Sequence, residues 1–206
     1  MLRFEPGRHV IRQTLSAGVL ALVIAAACST TEVVGQVIPN QGGSLEGHTP
    51  RGFEGSGTGL FAGDELNRNF PPDDGVQIWL TFDISDASDQ INTAVLSSDV
   101  MTVRGNPFEA LGSLQAAPVR FDEFSRSVVG IAPIGDAATC EVPTATSLRC
   151  DVAAAVQGEI DAGRDRVQFR LRFEGVSDPD GEQDMALFFH TDSNTNEPGI
   201  FTLELQ

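Results

Sequence analysis

The acidic segment from Asp178 to Asp184 holds the densest group of candidate metal ligands in the chain. Its carboxylates fall at alternate positions, Asp178, Asp180, Glu182 and Asp184, and Gly181 lies among them. Oxygen ligands at alternate positions around a glycine turn are what a calcium loop requires, although the spacing does not match an EF-hand. A solvated turn between two strands has the same composition. The sequence therefore leaves two interpretations: a calcium site formed by these four residues, or an acidic turn without an ion.

A second set of candidate ligand-binding residues alternates along two predicted strands. Gln168, Arg170 and Arg172 form a polar stripe on one strand face, and planar guanidinium groups suit the carboxylates of acidic sugars. Trp79, the only tryptophan, lies on the polar face of another strand. The arginines are interpreted either as sugar contacts or as a solvated face paired with acids. The indole is interpreted either as a platform for a sugar ring or as a cover over the sheet.

Residues suited to catalysis are scarce. Beyond the amino-terminal segment the only histidines are His48 and His190, and the chain has no Gly-x-Ser-x-Gly nucleophile motif. A glycosidase needs two carboxylates at a set separation, and no pair stands apart from the many others. We therefore predict that the protein is not an enzyme.

Alternating apolar residues predict the strands that position these side chains. The clearest runs are residues 75–83 and 166–174, in which every second residue is large and apolar. Further strands are predicted at residues 92–103, 118–121, 127–132, 185–190 and 200–205. One short helix is predicted between Asp151, a suitable N-cap, and Gly163. This pattern predicts an all-β fold, an antiparallel β-sandwich of jelly-roll type with one short helix.

The amino-terminal segment has the three parts of an export signal in order. Arg3, Arg8 and Arg12 precede an apolar run from Leu15 to Ala27, and the run leads directly into Cys28. This run is shorter than the roughly 20 apolar residues that a membrane-spanning helix needs. We therefore predict that residues 1–27 are a signal peptide.

A cysteine directly after small residues makes this segment resemble the signal of a bacterial lipoprotein. The resemblance implies cleavage before Cys28, covalent lipid on this residue and attachment to a membrane of the cell envelope. Ser29 follows the cysteine, and by resemblance to Gram-negative lipoproteins a residue other than Asp favours the outer membrane. Plain secretory cleavage at the same bond and an uncleaved anchor remain as alternatives. Residues 28–58 are rich in Gly, Ser and Thr and are predicted to be a flexible tether to a domain at residues 59–206.

The net charge limits the kinds of partner that the protein can bind, and the cysteine content bears on the compartment in which it folds. The net charge is −16 and the chain has no lysine, so binding to the phosphate backbone of nucleic acid is disfavoured. Cys140 and Cys150 remain once Cys28 is assigned to lipid. In an oxidising compartment these two would form a disulfide across a short loop, and the alternative is a pair of buried thiols.

Short motifs between residues 59 and 205 resemble the DNRLRE-type domains. They are Gly63-Asp64, residues 78–84 (Ile-Trp-Leu-Thr-Phe-Asp-Ile), residues 91–96 (Ile-Asn-Thr-Ala-Val-Leu), residues 169–172 (Phe-Arg-Leu-Arg) and the closing residues 198–205. Those domains are jelly-roll sandwiches similar to carbohydrate-binding modules on secreted and surface proteins. The resemblance implies a non-catalytic binding or adhesion module with a glycan ligand. The alternative is a structural envelope protein that binds another protein, and a glycan-active enzyme is the least favoured reading.

Overall fold

A computed structural model describes residues 33–36, 41–46, 49–53, 59–64, 75–178, 180–189 and 200–206. Within these ranges there are thirteen strands, two short α-helices and one 3₁₀ helix. The strands are β1 Val33–Gln36, β2 Gly43–Glu46, β3 Thr49–Phe53, β4 Leu60–Asp64, β5 Val76–Asp83, β6 Ala94–Ser98, β7 Met101–Arg104, β8 Leu114–Val119, β9 Ala138–Thr144, β10 Ser147–Asp151, β11 Arg166–Phe173, β12 Asp184–Phe188 and β13 Thr202–Leu205. The helices are α1 Pro107–Ala110 and α2 Ala153–Asp161, and the 3₁₀ helix is Arg126–Gly130.

The strands form two antiparallel layers that share one core. The first layer has the order β1-β13-β6-β10-β9, and the second has the order β8-β11-β5-β4-β12-β7, with the β2–β3 hairpin added along β5. Strand β9 pairs with β10 and also with β8, so the layers are continuous through it. The predicted all-β antiparallel sandwich is therefore confirmed.

The main core lies between the two layers. Ile78, Leu80 and Phe82 of β5 are fully buried, as the alternation in this strand predicts. Opposite them the first layer contributes Leu96 and Leu203 to the same cluster. Burying each of these side chains is worth about 1.5 to 3 kcal/mol, so the core rather than any single contact holds the layers together.

The predicted cysteine pairing is confirmed. Cys140 and Cys150 lie directly opposite each other in the β9–β10 hairpin, and their sulfur atoms are 2.02 Å apart. A loop of this length contributes roughly 2 to 3 kcal/mol in the loop-entropy model. The disulfide therefore fixes one hairpin at the edge of the first layer and does not define the fold.

The predicted helix is confirmed as α2. The N-cap position is occupied by Val152 and not by the predicted Asp151, which lies one residue earlier; its Oδ1 still accepts a hydrogen bond from the Ala153 amide at 3.1 Å. Val156 is fully buried on the core side, and Gly163 follows the helix with a φ of +66°. Helix α1, a single turn that starts at Pro107, was not predicted, because four residues are too few to show a helical period.

Three predicted elements differ from the structure. The run 92–103 forms two strands, β6 and β7, which belong to different layers. Residues 127–132 were predicted as a strand, but the structure has the 3₁₀ helix there. Strands β1, β2 and β3 come from the predicted tether, and β1 pairs with β13 while β2 pairs with β5. The sandwich therefore includes parts of the chain before residue 59.

The described residues include no helix that is both long enough and apolar enough to span a membrane. Cys28 and the predicted signal peptide lie outside the described residues.

Candidate functional site

Two neighbouring strands bring two buried carboxylates together at the start of β12. Asp184, the first residue of β12, lies opposite Asp64, the last residue of β4. Their exposed fractions are 4% and 8%. Asp184 Oδ1 accepts a hydrogen bond from the Asn106 amide, and Asp64 Oδ2 accepts one from the Asp178 amide at 3.1 Å. The acidic loop is therefore attached to the sheet through carboxylates.

The loop before β12 brings three of the four predicted calcium ligands together. One carboxylate oxygen from each of Asp178, Asp180 and Asp184 lies within 4.8 Å of the other two. Asp178 and Asp180 each accept a hydrogen bond from the amide two residues later, at 3.3 and 2.7 Å, so the loop is folded by its own side chains. Glu182 is exposed and does not belong to this group. Calcium binding itself stays a prediction.

Burial and repulsion from neighbouring carboxylates raise the pKa of Asp64 and of Asp178. Burial raises the pKa of Asp64, and the nearby Asp178, Asp184 and Asp180 raise it further against the hydrogen bond from the Asp178 amide. The pKa of Asp178 is also raised, first by desolvation and then by Asp180 and Asp184. The charged forms are therefore held in an unfavourable environment, which a bound cation would improve.

Two glycines allow the backbone to come close to Asp184. A Cβ at Gly63 would overlap the backbone carbonyl of Asp184, and a Cβ at Gly105 would overlap its carboxylate and the Gln183 carbonyl. Both glycines have a positive φ, +134° and +64°. Any other residue at these positions would push the acidic loop away from the sheet.

An open cleft of about 580 Å³ lies beside the carboxylates. We call it the acidic cleft; its polar lining residues are Arg104, Asn106, Glu109, Asp180, Glu182, Gln183 and Asp184. Arg104 Nη1 donates a hydrogen bond to Gln183 Oε1 at 2.8 Å, so one guanidinium lies along its wall. The cleft thus offers hydrogen-bond donors and acceptors, and among the described residues Ala110 has the only apolar side chain in its lining.

Three of the predicted sugar-binding residues, Trp79, Gln168 and Arg170, are buried, whereas a sugar contact would need them exposed. Trp79 is fully buried, and Gln168 and Arg170 are 7% and 8% exposed. Residues 120–134, which we call the covering segment, pack over them, and Trp79 lies in a small second core with Phe121 and Val128. The interpretation of Trp79 as an exposed platform is therefore wrong, because its ring faces this cover.

Hydrogen bonds explain the burial of Gln168 and part of that of Arg170, whose Nε, like Trp79 Nε1, is buried without a hydrogen-bond partner among the described residues. The Gln168 amide group bonds both the N–H and the carbonyl of Phe121, at 2.8 and 2.9 Å, and Arg170 Nη1 donates to the Ile131 carbonyl at 3.2 Å. These side chains hold the covering segment on the sheet. Arg172 is only partly buried, opposite Gln115 in the register. A ligand could reach Arg170 only by displacing the covering segment, whereas Gln168 also lines a second cleft near the start of β11.

Asp64 is the site residue that the sequence analysis missed. It lies more than a hundred residues before the acidic loop, and the Gly63-Asp64 motif carries no local metal-binding spacing. Only the pairing of β4 with β12 places it there.

Comparison with known protein families found no family that matches the chain, and comparison with curated proteins also found no match.

Proposed function

We propose that this protein is an exported, lipid-anchored module of the cell envelope that binds a glycan without catalysing a reaction, with calcium at the acidic cleft. The observation that carries the proposal is the open polar cleft beside three converging carboxylates. The sandwich supports the cleft rigidly, because β4 and β12 are paired along their whole length behind it.

The geometry of the three carboxylates fits calcium. Calcium takes oxygen ligands at about 2.3 to 2.6 Å, so two ligands of one ion lie at most about 5 Å apart. The oxygens of Asp178, Asp180 and Asp184 lie within 4.8 Å of one another, which satisfies this limit. Asp64 would act behind them, since its carboxylate accepts the Asp178 amide and orients the loop.

The lining of the acidic cleft supports a hydroxyl-rich ligand. Sugar hydroxyls both donate and accept hydrogen bonds, and Asn106, Glu109 and Gln183 provide acceptors and amide donors on the walls. Its volume of about 580 Å³ falls within the range of about 300 to 1,000 Å³ that is usual for small-molecule sites. Bound calcium would supply a charged centre to which hydroxyl oxygens coordinate.

The anchor rests on the sequence alone. The arginines, the apolar run and Cys28 have the order of a lipoprotein signal. Intact mass of the protein from the membrane fraction tests this part separately. A mature chain that begins at Cys28 with added acyl mass supports the anchor, and a mature chain without it supports plain secretion.

A glycan array in calcium and in chelator tests the binding function. We expect binding in calcium that is lost in chelator and in Asp180→Asn. Asp136→Asn serves as the matched control because Asp136 is exposed and lies outside the acidic cleft. If no glycan binds in calcium, the proposal fails, and the alternative of a structural protein with a protein partner takes its place.

A further inference from the structure

A second cleft lies where β8 ends, α2 ends and β11 begins. Its volume is about 420 Å³, and three arginines, Arg120, Arg164 and Arg166, lie in its lining. We call it the arginine cleft. Three carboxylates also line it, those of Asp122, Glu159 and Asp165. In a chain of net charge −16 without lysine, this cleft concentrates three of the few cations.

One buried carboxylate positions two of these arginines. Glu159 Oε1 accepts a hydrogen bond from Arg120 Nη2 at 2.7 Å, and Arg164 Nε forms an ion pair with Glu159 Oε2 at 3.0 Å. The Glu159 side chain is 9% exposed, whereas the arginine side chains are 45% and 42% exposed. The buried acid therefore fixes two guanidinium groups that still face solvent.

The backbone turn after α2 brings Arg164 to this position. Gly163 has a φ of +66°, and the Arg164 amide then donates to the Glu159 carbonyl at 3.0 Å. Arg166 follows as the first residue of β11 and is exposed. The turn thus directs Arg164 back towards the helix, while Arg166 stays exposed in the lining of the cleft.

Both fixed guanidiniums keep unused donors. A guanidinium carries five N–H donors in a planar fork. Arg164 uses Nε for Glu159, and among the described residues its terminal nitrogens have no partner. Paired terminal N–H groups bind carboxylates in a bidentate manner, and Glu159 has already restricted the side chains, which lowers the entropy cost of binding.

We propose that the arginine cleft binds the carboxylate of an acidic sugar, a uronate. Asp122, Glu159 and Asp165 balance the three arginines in formal charge, so a ligand carboxylate is held not by excess positive charge but by the unused N–H donors that Glu159 leaves on its two arginine partners. The two aspartates accept hydrogen bonds from hydroxyl groups, which a uronate ring carries beside its carboxylate. This site goes beyond the proposed function, because it involves neither calcium nor the acidic cleft.

Calorimetric titration of the full-length protein with trigalacturonate, in chelator, tests the proposal. We expect saturable binding that weakens about tenfold or more in Arg164→Ala and in Arg120→Ala, since each removes a charge-assisted contact. Arg149→Ala is the matched control. The Arg149 side chain is also 42% exposed and forms an ion pair with Asp99, and it lies outside the arginine cleft. Binding to the control should equal that of the wild type.

The methyl ester of trigalacturonate separates carboxylate recognition from general sugar binding. It keeps the hydroxyls and removes the charge, so the wild-type protein should not bind it measurably. This comparison needs no variant and therefore holds even if Arg164→Ala or Arg120→Ala fails to fold. Absence of trigalacturonate binding, equal binding of the ester, or an equal loss in Arg149→Ala would each overturn the proposal. Chelator in every titration keeps a failure here distinct from a failure of the calcium site.

Discussion

The acidic cleft and the arginine cleft are both polar, and in both a buried carboxylate organises the neighbouring residues. Beside the acidic cleft, Asp64 lies opposite Asp184 in the sheet, and burial and the neighbouring carboxylates raise the pKa of Asp64. In the arginine cleft, Glu159 has two arginines as direct partners. The buried carboxylate of the arginine cleft therefore has cationic partners within the protein, whereas Asp64 and Asp184 have only backbone amide donors as described partners and repel each other.

The glycines of the two clefts have similar backbone conformations but differ in how closely other atoms approach them. Gly105 and Gly163 have almost the same φ, +64° and +66°. A Cβ at Gly105 would overlap Gln183 and Asp184, whereas a Cβ at Gly163 would have no atom of the described part of the chain within 4 Å. The acidic cleft is thus closely packed around its carboxylates, while the turn of the arginine cleft faces open space. The predictions below test this difference between the two clefts, either directly or at one cleft alone.

Gly105→Ala should have the largest effect on stability. We expect a loss of about 3 kcal/mol or more in the free energy of unfolding, because steric overlap adds to the unfavourable φ. Gly163→Ala has the same φ penalty without overlap and should cost about 1 to 2 kcal/mol. Urea unfolding of both variants measures the difference. Equal losses would contradict the close packing at Asp184.

Calcium should stabilise the protein through the acidic cleft alone. At about a hundred times its dissociation constant, calcium should add about 2.7 kcal/mol to the free energy of unfolding. Asp180→Asn should lose this response, and Arg164→Ala, in the arginine cleft, should keep it. Thermal unfolding in calcium and in chelator measures both. The same melting temperature in the two buffers would exclude a calcium site.

Glu159→Gln should destabilise the protein at neutral pH. The amide cannot pair with two guanidinium groups, so we expect a loss of about 1 to 3 kcal/mol. Glu123→Gln, at an exposed position, should stay within about 0.5 kcal/mol of the wild type. Chemical denaturation of both variants tests this. An unchanged free energy of unfolding for Glu159→Gln would contradict a stabilising role for its two arginine contacts.

Asp64→Asn should have the smallest effect and the opposite sign. A carboxyl whose pKa is raised on folding stabilises the fold when protonated, and this contribution is lost as pH rises through the raised pKa. In chelator at pH 7, the asparagine should therefore stabilise the protein by about 1 kcal/mol or less. The advantage should vanish as pH falls below the raised pKa towards 3.8. Melting curves across this pH range would show it, and a destabilised variant at pH 7 would contradict the repulsion.

The sequence pattern predicted correctly those features that depend on residues close together in the chain. The alternation in β5 and β11 gave the strands and their core faces, because every second residue of a strand points to the same side. Asp178, Asp180 and Asp184 were found because they share one short loop. The helix α2 followed from Asp151 just before it, its period and Gly163 in the same way.

The sequence pattern did not predict contacts between segments that are far apart in the chain. Alternation placed Trp79 and Arg170 on the outer face of the second layer, but it could not show that the covering segment packs over that face. Asp64 joins the acidic loop only through strand pairing, and the arginine cleft takes Arg120, Glu159 and Arg164 from three elements. None of these contacts leaves a periodic signal.

The sequence by itself determined the all-β class, the main strands, the cysteine pair and the acidic loop. These depend on side-chain period, turn residues and short spacings, which act over a few residues. Only the tertiary structure decided which polar residues are buried, which carboxylates repel one another and which have arginine partners. Burial and electrostatic energies depend on distances in space, and strand pairing sets those distances between residues that are far apart in the chain.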